Sequence, residues 1–133
     1  MATVDFPDFP AGLSGLPVCY LETVGRVTGK RRTIEIWFAI DGWTAYVLSG
    51  GRDAAHWVRN IRAQPSVRVR IGGRTFAGQA RVIEGETPEP RARRLLASKY
   101  QGWSQDQPLS RWARESLPVA IDLVPRETKP GQT

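Results

Sequence analysis

At 133 residues, with 41% hydrophobic and 24% charged side chains, the chain has the composition of a water-soluble globular domain that can bury one core. No apolar run is long enough to cross a bilayer: Ile34–Ile40 is short and interrupted by Glu35. Asp5 and Asp8 with no basic segment argue against a secretory leader, and a lone cysteine, Cys19, cannot form an internal disulfide, so the cytoplasm is the expected location.

In chain order, residues 1–17 hold Pro7, Pro10, Gly12, Gly15 and Pro17, punctuation that predicts an irregular arm draped over the domain. Val18–Val24 alternates and reads as a first strand, and Gly25–Arg32 (GRVTGKRR) as a glycine-punctuated basic turn. Thr33–Ile40 puts Ile34, Ile36, Phe38 and Ile40 on one face and Thr33, Glu35 and Trp37 on the other, which is a strand's period of two. Asp41-Gly42 signals a hairpin, with Thr44–Ser49 as the return strand. The period then changes. Asp53 is suited to cap a helix in which Ala54, Trp57, Val58 and Ile61 form one buried stripe. Arg52, His56 and Arg59 fall on its other face, with Asn60 at the margin, and Pro65 stops it.

Val67, Val69 and Ile71 alternate with Arg68 and Arg70, Gly72-Gly73 turns the chain, and Arg74–Ile83 returns. Pro88 and Pro90 open a helix that runs to about Tyr100, and a shorter helix covers Leu109–Glu115. Val119–Val124 is the last strand, and residues 126–133 read as a disordered polar tail. Tight hairpins imply antiparallel pairing. Six such strands predict a mainly β fold over residues 18–125: a closed or nearly closed antiparallel barrel with flanking helices.

The side chains exclude several chemistries. His56 is the only histidine and Cys19 the only cysteine, so neither a nucleophile–base pair nor a zinc site is expected, and no metal is. No phosphate-loop or dinucleotide fingerprint occurs. An enzyme so poor in catalytic side chains borrows its chemistry from a cofactor. The charge points the same way. Between Gly50 and Ile83 lie seven arginines and one acid, Asp53, so this window carries the chain's whole net charge of +6. Arginine's planar fork matches phosphate and carboxylate oxygens, which suits an anionic ligand. Two segments could hold one. Gly25–Arg32 gathers four cations on a short loop, and Ser49-Gly50-Gly51-Arg52-Asp53 runs from a strand end into a helix N-terminus.

Taken together, Leu21–Arg32 (LETVGRVTGKRR), Val47–Gly51 (VLSGG), Trp57–Pro65 (WVRNIRAQP) and Val67–Ile71 resemble the deazaflavin-dependent nitroreductase family. That family belongs to the split-barrel flavin-binding superfamily that includes pyridoxamine-phosphate oxidase. The likeness continues through Lys99–Pro125 and covers about residues 18–125. It implies a six-stranded split barrel that uses coenzyme F420 to pass a hydride to a quinone, nitroaromatic or activated enone. By the same resemblance, Arg26, Lys30 and Arg32 would hold the cofactor's phosphate and acidic tail, and Ser49, Gly50 and Gly51 would flank the deazaflavin. Asn60 matches the helix motif of the cofactor site, while Tyr100 and Trp103 would line the substrate pocket. Ser49 or Tyr100 could then steady charge developing on the acceptor.

Two features depart from the family's pattern. The Arg52–His56 connection is short, and Trp103 followed by Gln105–Gln107 stands where the family is richer in tyrosine. An FMN-binding split barrel is the alternative for the cofactor. An arginine-rich nucleic-acid-binding barrel, with exposed aromatics such as Trp37, is the non-enzymatic alternative. The expected partner is a small-molecule acceptor, with no nucleic acid and no integral membrane association. A homodimer is plausible by resemblance.

Overall fold

The computed structural model describes residues 7–126. The first six residues of the expected arm and the expected tail from 127 onward lie outside the described residues. The strands are β1 (Cys19–Val24), β2 (Arg31–Ile36), β3 (Ala39–Asp41), β4 (Thr44–Ser49), β5 (Ser66–Ile71), β6 (Arg74–Val82) and β7 (Leu117–Leu123). All pair antiparallel in one sheet of order β2-β1-β5-β6-β7-β4-β3. Three helices join them: α1 (His56–Ala63), α2 (Glu89–Gln101) and α3 (Arg111–Glu115). None of the described helices is long and apolar enough to cross a membrane.

The sheet must curl, because its two edge strands are consecutive in the chain. Only Trp37 and Phe38 separate β2 from β3, and that link spans at most about 11 Å. The two edges therefore meet without pairing, which makes a split barrel. The expected single strand Thr33–Ile40 is in fact two, so the count is seven rather than six. The chain leaves β1 as partner at Ile36 and takes up β4 at Ala39. Inside the barrel lie Cys19, Leu21, Phe38, Val47, Val69 and Phe76, each fully buried and worth about 1.5–3 kcal/mol for the larger side chains. The outer face of β3, β4 and β7 offers Ala39, Tyr46, Leu48 and Ala120, which α2 covers with Ala92 and Leu96. The outer face of β5 instead presents Arg68 and Arg70, as the alternation of that strand predicts.

The arm closes the barrel near the β5–β6 turn. Phe9 meets Trp43 edge-on at 5.1 Å, and Leu13 and Leu16 pack on the core. Gly72, at φ +58°, has no room for a side chain: a Cβ there would lie 2.8 Å from Leu16 and 2.9 Å from Leu13. Lys99 latches the arm, its Nζ donating to the Ser14 and Phe38 carbonyls at 2.9 Å each and sitting 3.7 Å over the Phe38 ring. Burial pulls the Lys99 ammonium down to about 8 from its ordinary 10.5. Between those pH values the unfolded chain holds a proton that the folded chain has lost, so stability rises with pH across this window. Burial also pushes the Cys19 thiol from its ordinary 9.0 up to about 12, which lowers stability as pH rises. Lys99 is therefore read as a difference: from pH 8 to pH 10.5 the urea stability of the parent should rise relative to that of Lys99→Met. Equal slopes in the two proteins would mean that Lys99 titrates as it does in water.

Helix α1 begins later than its sequence suggests. Arg52 adopts a left-handed φ of 51°, so Arg52–Ala54 form a short 3-10 turn and Ala55 becomes the cap. Asp53 does not cap α1. Its carboxylate takes Arg62 Nε at 2.6 Å, and its carbonyl takes Arg59 Nε at 2.8 Å. The shift also moves the buried face, which holds Val58, Asn60 and Ile61 and leaves Trp57 only half-buried.

Candidate functional site

The loop between β1 and β2 is held shut by its own backbone. Gly25 N donates to Lys30 O at 2.7 Å, and Gly29 N to Gly25 O at 2.8 Å. From the other side Asn60, buried on α1, fastens it. Asn60 Oδ1 accepts from Arg26 N at 3.2 Å and Arg26 Nη1 at 2.8 Å, while its Nδ2 donates to the buried Thr23 Oγ1 at 3.2 Å. Arg26 also reaches His56, with Nη2 3.2 Å from Nδ1. Arg26 and Asn60, expected to bind a cofactor, are thus engaged with each other and position the loop.

Beside this brace lies a hollow of about 690 Å³, walled by Thr23, Arg26, Arg32, His56, Trp57 and Asn60 and edged by Arg31. No acid lines it. Helix α1 enters with its N-terminal residues His56 and Trp57, the positive end of its dipole. The three arginines differ in what they can still do. Arg26 is committed as described, and Arg31 Nη1 pairs with Glu22 Oε1 at 2.6 Å. Arg32 lies opposite Thr23 on β1, on the inward-facing register, and its guanidinium has no hydrogen-bond or ion-pair partner among the described residues. Lys30 is exposed on the loop and does not line the hollow, so the expected joint grip of Lys30 and Arg32 is not assembled here.

A second hollow, of about 510 Å³, continues along the same strand. Arg31–Ile34 border the first; Glu35, Ile36 and Trp37 border the second, facing Leu48, Gln101 and Trp112. Trp37 is 44% exposed, stacked flat on Tyr100 at 4.4 Å and met edge-on by Trp112 at 5.4 Å. Trp112 is placed by anchors on α3. Buried Arg93 donates from Nη1 to Ala113 O at 2.9 Å and Ser116 O at 2.8 Å, and to Glu89 from Nη2 at 2.6 Å. Arg52 Nη1 donates to Glu115 O at 2.6 Å and pairs with Glu84. Glu89 is held below the usual carboxylate range, first by the Gly85 backbone amide and then by Arg93.

The Ser49-Gly50-Gly51 turn sits between the two hollows and lines neither. A Cβ on Gly50 would lie 4.0 Å from Trp112, and one on Gly51 3.8 Å from Ala55 N. Ser49 is buried, and its hydroxyl donates to Arg52 O at 3.0 Å inside the turn. Tyr100 is equally committed. Its hydroxyl accepts from Phe38 N at 3.0 Å and shares one proton between Pro17 O at 2.9 Å and Phe38 O at 3.0 Å. Burial raises its pKa. Each of the two hydroxyls expected to steady an acceptor is thus engaged with backbone groups. Trp103 donates to Gln107 O at 2.7 Å in a smaller depression that shares Gln101 with the second hollow, and it does not itself line that hollow. Trp37 and Trp112 form its aromatic wall instead. Trp37 was legible only as an exposed aromatic, and nothing in the local pattern marks Trp112.

Comparison with known proteins agrees with this architecture. The chain is 31% identical over 77 residues to the F420H(2)-dependent quinone reductase Rv1261c of Mycobacterium tuberculosis, over 55% of this chain and 51% of that protein. The same figures hold for the F420H(2)-dependent quinone reductase MT1299 of another strain. The chain thus spans about half the length of these curated relatives. Among solved structures, an F420-H2 dependent reductase (FDR-A) superposes with a TM-score of 0.60 at 24% identity, over 81% of this chain and 94% of that one. The conserved hypothetical protein Rv2991 of M. tuberculosis superposes with a TM-score of 0.69 at 16% identity, over 91% and 84% of the two chains. These last two likenesses establish the fold. The pattern of one family matches residues 9–123, nearly the whole described chain, and by that match the chain belongs to the F420H(2)-dependent quinone reductase family.

Proposed function

We propose that this chain is an F420H2-dependent reductase. The basic hollow holds the cofactor's phosphate and acidic tail, and the aromatic hollow receives an electron-poor planar acceptor such as a quinone, nitroaromatic or activated enone. The observation that carries this reading is the segregation of chemistry along β2: Arg26, Arg31 and Arg32 with no acid at one end, and Trp37 and Trp112 over Leu48 at the other. The donor set fits an anionic cofactor, since an unengaged guanidinium and a helix N-terminus converge on one hollow.

The bound deazaflavin supplies the hydride. Arg32 supplies charge-assisted hydrogen bonds to the anionic part, and Arg31, neutralised by Glu22, adds little. Asn60 and Arg26 hold the loop so that Arg32 meets its ligand without reordering, which lowers the entropic cost of binding. Trp37 and Trp112 offer flat apolar walls that align a ring and keep water from it.

Fluorescence titrations with F420 and with FMN test the cofactor. F420 should bind more tightly, because its acidic tail brings more negative charge than FMN to a hollow bordered by Arg26, Arg31 and Arg32. Its affinity should fall with added salt, since exposed charges are screened over about 8–10 Å at ordinary ionic strength. Equal or tighter FMN binding would make the protein an FMN-binding split barrel.

A further inference from the structure

The polar rim of the aromatic hollow consists of Glu35 and Gln101, and among the described residues Glu35 is its only charged lining residue. The acids of neighbouring strands are matched to arginines: Glu22 to Arg31, Asp41 to Arg91 and Asp122 to Arg81. Glu35 has no cation at ion-pair distance among the described residues. It accepts only the Tyr20 hydroxyl, at 3.3 Å on Oε1. Arg70, the cation on that stretch of sheet, lies 4.4 Å over the Tyr20 ring. The hollow's mouth therefore carries an uncompensated negative charge on an otherwise strongly basic protein.

We propose that Glu35 sets the charge specificity of the acceptor site: the hollow admits neutral or cationic planar acceptors and repels anionic ones. Repulsion of a wrong ligand is how a site with non-selective apolar walls discriminates. Here it also confines the anionic cofactor to the arginine end of the trough, because its acidic tail is attracted at Arg32 and repelled at Glu35. The inference rests on the two-hollow reading above.

The test uses menadione as the neutral probe and naphthoquinone sulfonate as the anionic one, with binding read by quenching of tryptophan fluorescence and no cofactor added. Glu35→Gln keeps the shape and the Tyr20 hydrogen bond while removing the charge. In that variant the ratio of Kd for the sulfonate to Kd for menadione should fall by about 5- to 10-fold at low salt, and by less at high salt. Glu86→Gln removes an acid outside the hollow and should leave the ratio as in the parent. An unchanged ratio in Glu35→Gln, or the same fall in Glu86→Gln, would overturn the proposal. Failure of F420H2 turnover would not touch this result, because binding is read without it. Absence of quenching by menadione would show instead that the hollow is not an acceptor site, and would sink both readings.

Discussion

Replacing Arg32 by alanine should weaken deazaflavin binding by about 10- to 100-fold, while Arg31→Ala should change it by about threefold or less. The two residues are adjacent and carry the same formal charge, so a diffuse electrostatic effect would treat them alike. Their surroundings differ. Both border the basic hollow, but Arg31 is already ion-paired to Glu22, whereas the guanidinium of Arg32 is unengaged among the described residues. A charge-assisted hydrogen bond to an anion is worth about 1.5–3 kcal/mol, which sets the size of the Arg32 effect. Affinities at matched salt, with thermal melts to confirm folding, decide it. Equal losses would reduce the hollow to a diffuse positive field.

The largest loss of stability is expected at Arg93. Its guanidinium is buried and holds two carbonyls at the end of α3 together with Glu89. Arg93→Met should cost about 3–5 kcal/mol, because both carbonyls lose their partner and the Glu89 carboxylate keeps only the Gly85 amide. A chain of this size should then melt about 11–18 °C lower. The same change frees α3, so Trp112 should lose its fixed contact with Trp37 and menadione should quench fluorescence less. A melting temperature within a few degrees of the parent would mean that water replaces the guanidinium.

Much of the fold was legible because β-strands write their burial into the sequence. Thr44–Ser49 appears where the Asp41-Gly42 hairpin signal puts it, and the arginine-alternating β5 where the period-two pattern does. The break at Trp37-Phe38 left no such mark. Ile36, Phe38 and Ile40 stay in phase, all packing toward the barrel interior, and only the pairing partner changes from β1 to β4. Pairing partners are not a periodic property. The late start of α1 was hidden for a different reason, since it depends on a left-handed arginine, a conformation that sequence rarely signals.

The site was legible as a location and not as a set of roles. Glycines and cations announced the basic loop, but whether an arginine is available depends on residues far away in sequence: Glu22 for Arg31, Asn60 for Arg26. Tyr100 was found by its place in the order of aromatics, and its hydroxyl proved to be held by the backbone at Phe38 and Pro17. Side chains that close a barrel and side chains that meet a ligand share the same residue types. Only the contacts tell them apart.

The proposed function requires hydride transfer from reduced F420 to a planar acceptor. The most direct measurement is an anaerobic mixing experiment in which protein and F420H2 are combined with menadione and the deazaflavin absorbance is followed. The oxidised band should return at a rate proportional to enzyme, and the rate should drop in Arg32→Ala through a raised KM for F420H2. Return of the band at the same rate without protein, or turnover supported by reduced FMN and not by F420H2, would contradict the proposed function.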